Sequence, residues 1–184
     1  MSRIGKKPIP LSENVKVTIE GSRVIVEGPK GTLSLTIPLG LKISQREEIL
    51  LVERKEQSSE GGAIYGVTRQ LLANMVRGVA EEWTKKLQVL GTGYLVQPKD
   101  GGLSLSLGLS HQVDFPAPEG IHFEVEGDVL TVIGADRQAV GRIARQIRSL
   151  RPPDAYKGKG IRYFGEEIKL KAGKAAKVGE GGAK

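Results

Sequence analysis

The sequence predicts an α+β protein of two similar domains, each an antiparallel sheet with a helix packed on one face, followed by a basic C-terminal extension. Strand-like alternation of apolar and polar residues gives way to a helical pattern, and this order then occurs a second time. The stretches 37–43 and 117–123, IPLGLKI and APEGIHF, match at an offset of 80 residues and indicate an internal repeat. The length of 184 residues suits two domains of about 80 to 90 residues.

The first half of the chain is predicted to hold several strands and one helix. VKVTIEG and RVIVEG alternate apolar and polar residues, and EGSR between them suits a tight hairpin turn. GPKGT turns the chain into LSLTIP, and LKIS and EILLVER follow, before a predicted loop, QSSEGG, at 57–62. A helix is expected over roughly 63–82 because apolar residues recur there at helical spacing. Its expected apolar face comprises Ile64, Val67, Leu71, Leu72, Met75, Val76 and Val79.

The second half repeats this order. KLQVLGTGYLVQ, the turn PKDGG and LSLSLGL predict strands, and VDFPAPEG leads into the hairpin pattern IHFEVEGDVLTVIG. Asp136 is the candidate N-cap of a second helix, which Pro152 and Pro153 end. The expected apolar positions of this helix are Val140, Ile143, Ala144, Ile147 and Leu150, with Arg142, Arg145 and Arg148 on the opposite side.

The repeat places the domain boundary near Glu82. We therefore expect domains at 1–82 and 83–170 and a basic flexible tail at 171–184. A rival offset of 106 residues pairs VKVTIEG with IHFEVEG. That alignment is less consistent, because it puts the hairpin at the start of one half and directly before the helix in the other.

Positive charge is concentrated at the C-terminal end of the chain. The net charge is +7, and residues 142–184 hold twelve basic and four acidic residues, a net of +8. Residues 1–141 hold 16 basic and 17 acidic residues, a net of −1. One-signed charge beside a neutral body favours a polyanionic partner. A membrane is disfavoured, because the tail KLKAGKAAKVGEGGAK has few bulky apolar side chains to insert.

Composition argues against metal sites, disulfides and membrane spans. The chain has no cysteine, and its two histidines, His111 and His122, lack neighbouring ligands, so no metal site is predicted. No run of 18 apolar residues occurs, and MSRIGKKPIP lacks an apolar signal core. The expected protein is soluble and cytoplasmic.

No catalytic motif stands out. The sequence lacks a nucleotide P-loop, and GTGYLV is interpreted as a strand bend rather than a phosphate-binding glycine motif. Ser110 and His111 are adjacent on a predicted strand, so their side chains should point to opposite faces. The glutamate pairs at 81–82 and 166–167 are interpreted as polar surface. The prediction is a protein that is not an enzyme, with no cofactor and no small-molecule substrate.

The stretch YKGKGIRYFG at 156–165 is the main functional candidate and is predicted to be an RNA-contact loop. It holds three of the eight aromatic residues of the chain, follows RPPDA, and alternates lysine with glycine. Glycines leave the backbone bare for a phosphate strand, cations neutralise phosphates, and rings stack on exposed bases or riboses. The candidate RNA contacts are Tyr156, Lys157, Gly158, Lys159, Gly160, Arg162 and Tyr163.

Some side chains near this stretch allow two interpretations. The rings of Tyr156 and Tyr163 are suited either to RNA contact or to docking on the core, whereas Phe164 is expected to dock. The arginines of the second helix either extend the basic surface or only solvate the helix. The N-terminal Arg3, Lys6 and Lys7 either reach nucleic acid or are simply solvated.

The stretch PPDAYKGKGIRY resembles the family of protein L6 of the bacterial large ribosomal subunit. Further similarity lies in MSRIGKKPIPL, in VEGPKGTLS, in GVTRQLLANMVRGV, and in LGTGYLV and LGLSHQV, so the resemblance extends in order over essentially the whole chain. It implies a structural constituent of the large ribosomal subunit, located in the cytoplasm, that supports translation.

The resemblance also implies partners and contact residues. The implied partners are large-subunit (23S) ribosomal RNA, near the stalk base and the sarcin–ricin loop, and neighbouring ribosomal proteins at the stalk base. The implied RNA-binding residues extend the motif above to the lysines after it, Lys169, Lys171, Lys174 and Lys177. Arg148 and Arg151, which precede the motif, are further candidate RNA contacts. The chain departs from the family pattern at Asp154–Ala155, where Glu-Pro is frequent, and at Tyr65, where histidine is frequent.

Two other functions remain open at this stage. A free-standing RNA-binding regulator or chaperone of the same fold would share every feature above except attachment to the ribosome. An enzyme acting on RNA is a more distant alternative, because no acid, base or metal cluster is evident.

Overall fold

A computed structural model describes residues 5–54 and 62–173 of the chain. The chain divides into two compact units. The first comprises the residues up to Trp83 together with Ile133–Val140, and the second comprises Thr84–Val132 and the residues from Gly141 onward. Within the described ranges, no helix is long and apolar enough to cross a lipid bilayer.

The first unit consists of two three-stranded antiparallel sheets and one helix. Its elements are β1 (Ile9–Pro10), β2 (Lys16–Glu20), β3 (Arg23–Gly28), β4 (Gly31–Thr36), β5 (Leu41–Arg46), β6 (Ile49–Arg54) and α1 (Gly62–Glu81). The sheet orders are β2-β3-β4 and β1-β6-β5. The helix packs against β3, β4 and β6, so one helix covers both sheets. Fully buried Val24, Val26, Leu50, Leu72 and Val79 form the centre of this core.

The start of α1 buries a different face from the one predicted. Leu72, Met75, Val76 and Val79 are buried as expected, but the Ile64 and Val67 side chains are 43% and 59% exposed. The buried residues of this stretch are Tyr65, Thr68 and Arg69. The cause is the N-terminal segment, which lies against the helix: Gly5 is so close to the Tyr65 ring that a Cβ there would clash with it.

A nearly buried arginine fixes this N-terminal segment. Arg69 donates from Nε to the carbonyl of Lys7 and from Nη2 to the carbonyl of Pro8, both at 3.0 Å. Backbone carbonyls satisfy a guanidinium without a carboxylate, which is one of the few ways a charged group becomes buried. The Lys6 and Lys7 side chains remain exposed.

The remaining elements form a three-stranded sheet, a four-stranded sheet and a second helix. They are β7 (Trp83–Leu90), β8 (Leu95–Lys99), β9 (Gly102–Ser106), β10 (Val113–Pro116), β11 (Ile121–Glu126), β12 (Val129–Gly134), α2 (Arg137–Leu150) and β13 (Gly160–Tyr163). The sheet orders are β10-β9-β8 and β11-β12-β7-β13. The α+β class and the repeated domains are confirmed, although each repeat contains two sheets rather than the single sheet expected.

Helix α2 follows the predicted pattern. The Asp136 carboxylate accepts the backbone N–H of Gln138 at 2.9 Å, so Asp136 is the N-cap. Val140, Ile143, Ala144 and Ile147 are buried, while Leu150 is half-buried. Arg142 and Arg145 are exposed on the other side.

The offset of 80 residues corresponds to a repeated turn. Leu41 N–H donates to the Pro38 carbonyl at 3.4 Å, and Ile121 N–H donates to the Pro118 carbonyl at 3.1 Å. Gly40 and Gly120, at φ of +90° and +72°, occupy the position of each turn that needs a left-handed backbone. Each turn leads into a two-stranded hairpin followed by a helix, β5–β6 before α1 and β11–β12 before α2. The rival offset of 106 residues instead aligns β2 with β11, which belong to non-equivalent sheets.

Two strands were not predicted, and two predicted segments lie wholly or partly outside the described residues. The stretch 156–165 was predicted as a loop, but Gly160–Tyr163 forms strand β13, which pairs antiparallel with β7. The short strand β1 was also not predicted. The predicted loop at 57–62 lies outside the described residues except for Gly62, which begins α1, and the tail beyond 173 lies outside them too.

Candidate nucleic-acid interface

The chain between α2 and β13 folds into a closed, hydrogen-bonded loop. Ile161 N–H donates to the Arg151 carbonyl and Asp154 N–H donates to the Lys159 carbonyl, both at 2.8 Å. Inside these two bonds, Gly158 N–H donates to the Asp154 carbonyl, and Lys157 N–H donates to the Asp154 carboxylate, both at 2.9 Å. The loop is therefore shaped by its own backbone, with Asp154 at its centre.

Gly160 lies on the inside of this loop, whereas the sequence predicts that its backbone is exposed to a phosphate strand. It is buried, and a Cβ there would stand 2.6 Å from the carbonyl oxygen of Pro152 and 2.6 Å from the Cα of Pro153. Its φ of +144° is also rarely open to other residues. The two prolines thus occupy the side on which a side chain at this position would lie, and the approach of a phosphate strand to Gly160 stays a prediction. Gly158 is half-buried at a φ of +68°.

Three exposed cations of the loop line one open groove. Arg151, Lys157 and Lys159 border it. Tyr94, Pro152, Pro153, Asp154 and Ala155 complete its lining. Among the residues that the structure describes, none of these three cations forms an ion pair with a carboxylate. Their charge is thus available to an anion in the groove.

Neutral oxygen atoms hold two of these cations. Arg151 Nε donates to the Tyr94 hydroxyl at 3.1 Å, and Lys159 Nζ donates to the Thr92 hydroxyl at 3.1 Å. Thr92 and Tyr94 lie in the turn between β7 and β8, where GTGYLV was interpreted as a strand bend. That interpretation agrees with the structure, but the contribution of its two hydroxyls to the groove was not foreseen.

Arg162 lies on β13 and is half-buried. It stands opposite Gln88 in the pairing of β13 with β7, and its Nε and Nη2 donate to Gln88 Oε1 at 3.2 and 2.9 Å. Cross-strand neighbours on one face of a sheet are close enough for such contacts. Arg162 is therefore also held by a neutral group.

Arg148 differs from the other cations because a carboxylate pairs with it. Its Nη2 and Nε donate to the two oxygens of Glu166 at 2.6 and 3.2 Å. The Arg148 hydrogen bonds are the main cause that lowers the pKa of Glu166, and the backbone N–H of Tyr163 lowers it further. The same hydrogen bonds raise the pKa of Arg148. Arg148 thus fastens α2 to the segment after β13.

The three aromatic side chains of the motif have unequal exposure. Tyr156 is 60% exposed and available for stacking. Tyr163 is half-buried, and the cationic groups of Lys85 and Arg148 lie over its ring at 4.7 and 5.3 Å from the centroid. Phe164 was expected to dock on the core but is 60% exposed. Docking was wrong for Phe164: its backbone N–H still donates to the Lys86 carbonyl of β7 at 3.0 Å, but its side chain is exposed.

The segment after β13 returns to the loop. Lys171 N–H donates to the Ala155 carbonyl at 2.8 Å, and the Leu170 side chain lies 3.5 Å from where a Cβ on Gly158 would be. This contact brings the exposed Lys169 and Lys171 to the same part of the second unit as Lys157. The predicted contacts Lys174 and Lys177 lie outside the described residues.

Other kinds of site find no support in the described ranges. There, no group of three or more His, Asp or Glu side chains could hold a metal ion. The carboxylates nearest the groove already accept hydrogen bonds within the fold, Asp154 from a backbone N–H and Glu166 from Arg148. The arrangement suits binding of a polyanion.

Comparison with known proteins identifies the family. The family model described as "Ribosomal protein L6" matches residues 11–82 and 90–164. Large ribosomal subunit protein uL6 of Persephonella marina is 51% identical over 176 residues, which cover 95% of this chain and 98% of that protein. The proteins of the same name from Prochlorococcus marinus and Trichormus variabilis are 48% and 45% identical, over 96% and 98% of this chain and 99% and 100% of their own lengths. A family model that covers both repeats, together with relatives of this identity over nearly the full length, shows that the chain belongs to the ribosomal protein L6 family.

Proposed function

We propose that the chain is a structural constituent of the large ribosomal subunit and binds large-subunit ribosomal RNA through the groove beside Tyr94 and Arg151–Lys159. Membership of the family supports the ribosomal role, and the relatives named above are large-subunit proteins. As part of the ribosome, the protein works in the cytoplasm and has no catalytic task of its own. The single observation that supports the RNA-binding face is the groove with three exposed cations and no carboxylate paired to them among the described residues.

The site residues take different roles in this proposal. Arg151, Lys157 and Lys159 contact phosphates, and Tyr156 offers its exposed ring to a base or ribose. Lys169 and Lys171 extend the charge along the returning segment, and Lys174 and Lys177 continue the basic sequence beyond it. Arg162 adds charge beside the groove from β13.

Three further residues of the predicted set support the site from within. Arg148 is paired to Glu166, Gly160 lets the loop close on the prolines, and Tyr163 lies beneath two cations. We propose that their main effect on RNA binding is to hold the loop in shape.

The location within the subunit is a finer part of the proposal. We place the protein near the stalk base and the sarcin–ricin loop, with neighbouring ribosomal proteins as partners. This part rests on the resemblance of the motif at 156–163 to the family. Chemical cross-linking of intact ribosomes tests it: cross-links from Lys157 or Lys169 to RNA remote from the sarcin–ricin loop would exclude this location.

A salt titration tests the groove directly. The variant Arg151→Ala/Lys157→Ala/Lys159→Ala removes the three exposed cations that line the groove, and it should bind a transcript of large-subunit ribosomal RNA more weakly, at nearly unchanged Tm. Each phosphate contact steepens the fall of log affinity with log salt by about 0.7 to 0.9, so losing three contacts should flatten the slope by about 2 to 3. The charge-preserving variant Arg151→Lys/Lys157→Arg/Lys159→Arg should retain most of the slope.

A matched control removes three exposed cations from the first unit. The variant Lys16→Ala/Lys42→Ala/Arg46→Ala carries the same loss of net charge and should leave the slope near that of the wild type. Equal flattening in both triple variants would show that binding follows net charge alone, and the groove would lose its role.

A free-standing RNA-binding regulator or chaperone of the same fold is the alternative. Sedimentation of cell extract separates the two functions. A structural constituent co-sediments with large subunits at one copy per subunit and stays bound at moderate salt. A protein found mainly at the top of the gradient would favour the regulator.

A further inference from the structure

We propose that the turn between β7 and β8, residues 91–94, which contributes Tyr94 to the lining of the RNA-binding groove, positions Arg151 and Lys159 for phosphate contact through its two hydroxyls. This inference rests on the proposed function. It assigns Thr92 and Tyr94 as positioning residues, which act on RNA through the two cations they hold. The ligand of this part of the groove is the phosphodiester backbone of an RNA strand.

The position of Tyr94 is fixed by its surroundings. Tyr94 N–H donates to the Gly91 carbonyl at 3.2 Å, and Gly93 has a φ of +78° in the turn. The tyrosine ring lies so close to two glycines that a Cβ on Gly91 would stand 2.6 Å from it, and a Cβ on Gly108 would stand 3.0 Å from it. The ring is half-buried between them, and its hydroxyl reaches the exposed side chain of Arg151. A ring held in this way gives the hydroxyl a fixed location.

The neutrality of both partners is the central point. A carboxylate at either position would fix the cation but also cancel its charge, as Glu166 does for Arg148 and Asp114 does for Lys99. A hydroxyl orients the cation and leaves its charge in place. The two cations that border the groove from opposite ends of the loop, Arg151 and Lys159, both have hydroxyl partners from the same turn.

The remaining donors of these cations suit a phosphate. Arg151 uses only Nε on Tyr94, so the two terminal nitrogens of its guanidinium remain for a bidentate contact with phosphate oxygens. Lys159 uses one of its three ammonium protons on Thr92. Both side chains are long and exposed. Because hydrogen bonds already restrict them in the free protein, RNA binding should lose less side-chain conformational entropy.

Single-atom changes test the positioning. Tyr94→Phe removes only the hydroxyl, and Thr92→Val replaces the hydroxyl with a methyl group. Each should weaken binding to a transcript of large-subunit ribosomal RNA by about two- to tenfold, the range expected for freeing one long side chain. The Tm and the slope of affinity with salt should stay near the wild-type values, because no charge is lost. The controls are Tyr65→Phe and Thr36→Val in the first unit, which should not change the affinity.

A double-mutant cycle separates positioning from a general effect on the fold. In an Arg151→Met background, Tyr94→Phe should cause no further loss of affinity, because the cation on which it acts is absent. Thr92→Val should likewise have no further effect in a Lys159→Met background. A purely structural role of either hydroxyl would weaken binding equally in both backgrounds, and that result would overturn the inference.

The outcomes also separate this inference from the proposed function. If Arg151→Met and Lys159→Met weaken binding but Tyr94→Phe and Thr92→Val do not, the positioning role is wrong and the RNA-binding groove stands. If neither methionine variant weakens binding, the groove itself is wrong. Should Tyr94→Phe lower the Tm, Thr92→Val still decides the matter, because Thr92 is exposed in the turn.

Discussion

Replacing Gly160 by alanine should destabilise the second unit far more than it disturbs any direct contact with RNA. The new Cβ would stand 2.6 Å from two backbone atoms of Pro152 and Pro153, a distance that requires the backbone to move. The φ of +144° adds backbone strain for any residue with a side chain. Overpacking and strain each cost about 1 to 3 kcal/mol, so the combined loss of stability should be about 2 to 6 kcal/mol.

The matched control is Gly158→Ala in the same loop. Gly158 also has a positive φ, but the nearest atom to its added Cβ is a Leu170 methyl at 3.5 Å, an ordinary contact. Only the left-handed backbone is penalised there, at about 1 to 2 kcal/mol. The difference between the two variants therefore isolates the close approach of Gly160 to the prolines.

Thermal unfolding followed by circular dichroism measures the effect. For a unit of about 100 residues, each kcal/mol lowers the Tm by about 4 to 8 °C, so Gly160→Ala should lower it by roughly 10 °C or more. RNA affinity is then measured well below the lowered Tm. An unchanged Tm with greatly weakened RNA binding would refute this reasoning. It would show instead that Gly160 bares its backbone for a phosphate, as the sequence alone had predicted.

Three further perturbations test other parts of the molecule. Arg148 lowers the pKa of Glu166 in the folded chain. The full stabilisation from this pair is therefore present when the pH is above 4.5, the ordinary pKa of glutamate, and it is lost as the pH falls through the lowered pKa. Glu166→Gln should therefore lower the urea midpoint at pH 7 and lose less stability than the wild type on further acidification; equal acid dependence would contradict this assignment. Arg69→Ala leaves two carbonyls without their donor and should lower the free energy of unfolding, measured by chemical denaturation, by about 3 kcal/mol. The control Arg23→Ala, at an exposed arginine, should lower it by less than about 0.5 kcal/mol. Equal losses would show that the buried guanidinium has no special structural role. Residues 1–82 and 83–184, expressed separately, should each show dispersed amide signals by NMR, and the absence of dispersion in both would contradict independent folding.

Local patterns were sufficient to predict most elements of the fold. Hairpins such as β2–β3 and β11–β12 combine alternating apolar residues with a turn between them, and both signals lie within about fourteen residues. The repeat was predictable for the same reason, since Pro38–Gly40 and Pro118–Gly120 form the same turn and share a short sequence pattern.

The missed elements depend on partners that are remote in sequence. Strand β13 has only four residues and begins with a glycine, so its sequence shows little alternation of apolar and polar residues. It pairs with a strand about seventy residues earlier, which no local pattern indicates. The start of α1 was misjudged because the N-terminal segment covers Tyr65 and Arg69, whereas helical spacing alone favoured Ile64 and Val67.

The candidate site shows the same division between local and remote information. The cations and the exposed ring of Tyr156 were predictable from the composition of one short stretch. Their hydroxyl and amide partners at Thr92, Tyr94 and Gln88 come from elements 57 to 74 residues away, and no local pattern indicates them. The packing of Gly160 against the two prolines was not predictable, because a glycine that admits a ligand and a glycine that admits another backbone look identical in the sequence.

The pairing of β13 with β7 has a consequence for the order of folding and for hydrogen exchange. This edge strand closes a stretch of about seventy residues, since Gly160 pairs with Leu90, and the entropic cost of that closure precedes the contacts that it makes possible. The groove cannot exist before β13 is in place, so the binding face should be a late-forming part of the second unit. The same strand should be among the first to open in the native state, and its amides should exchange faster than those of β7 and β12. RNA that binds only the closed groove would then slow exchange in β13, although the strand itself lies behind the contact surface.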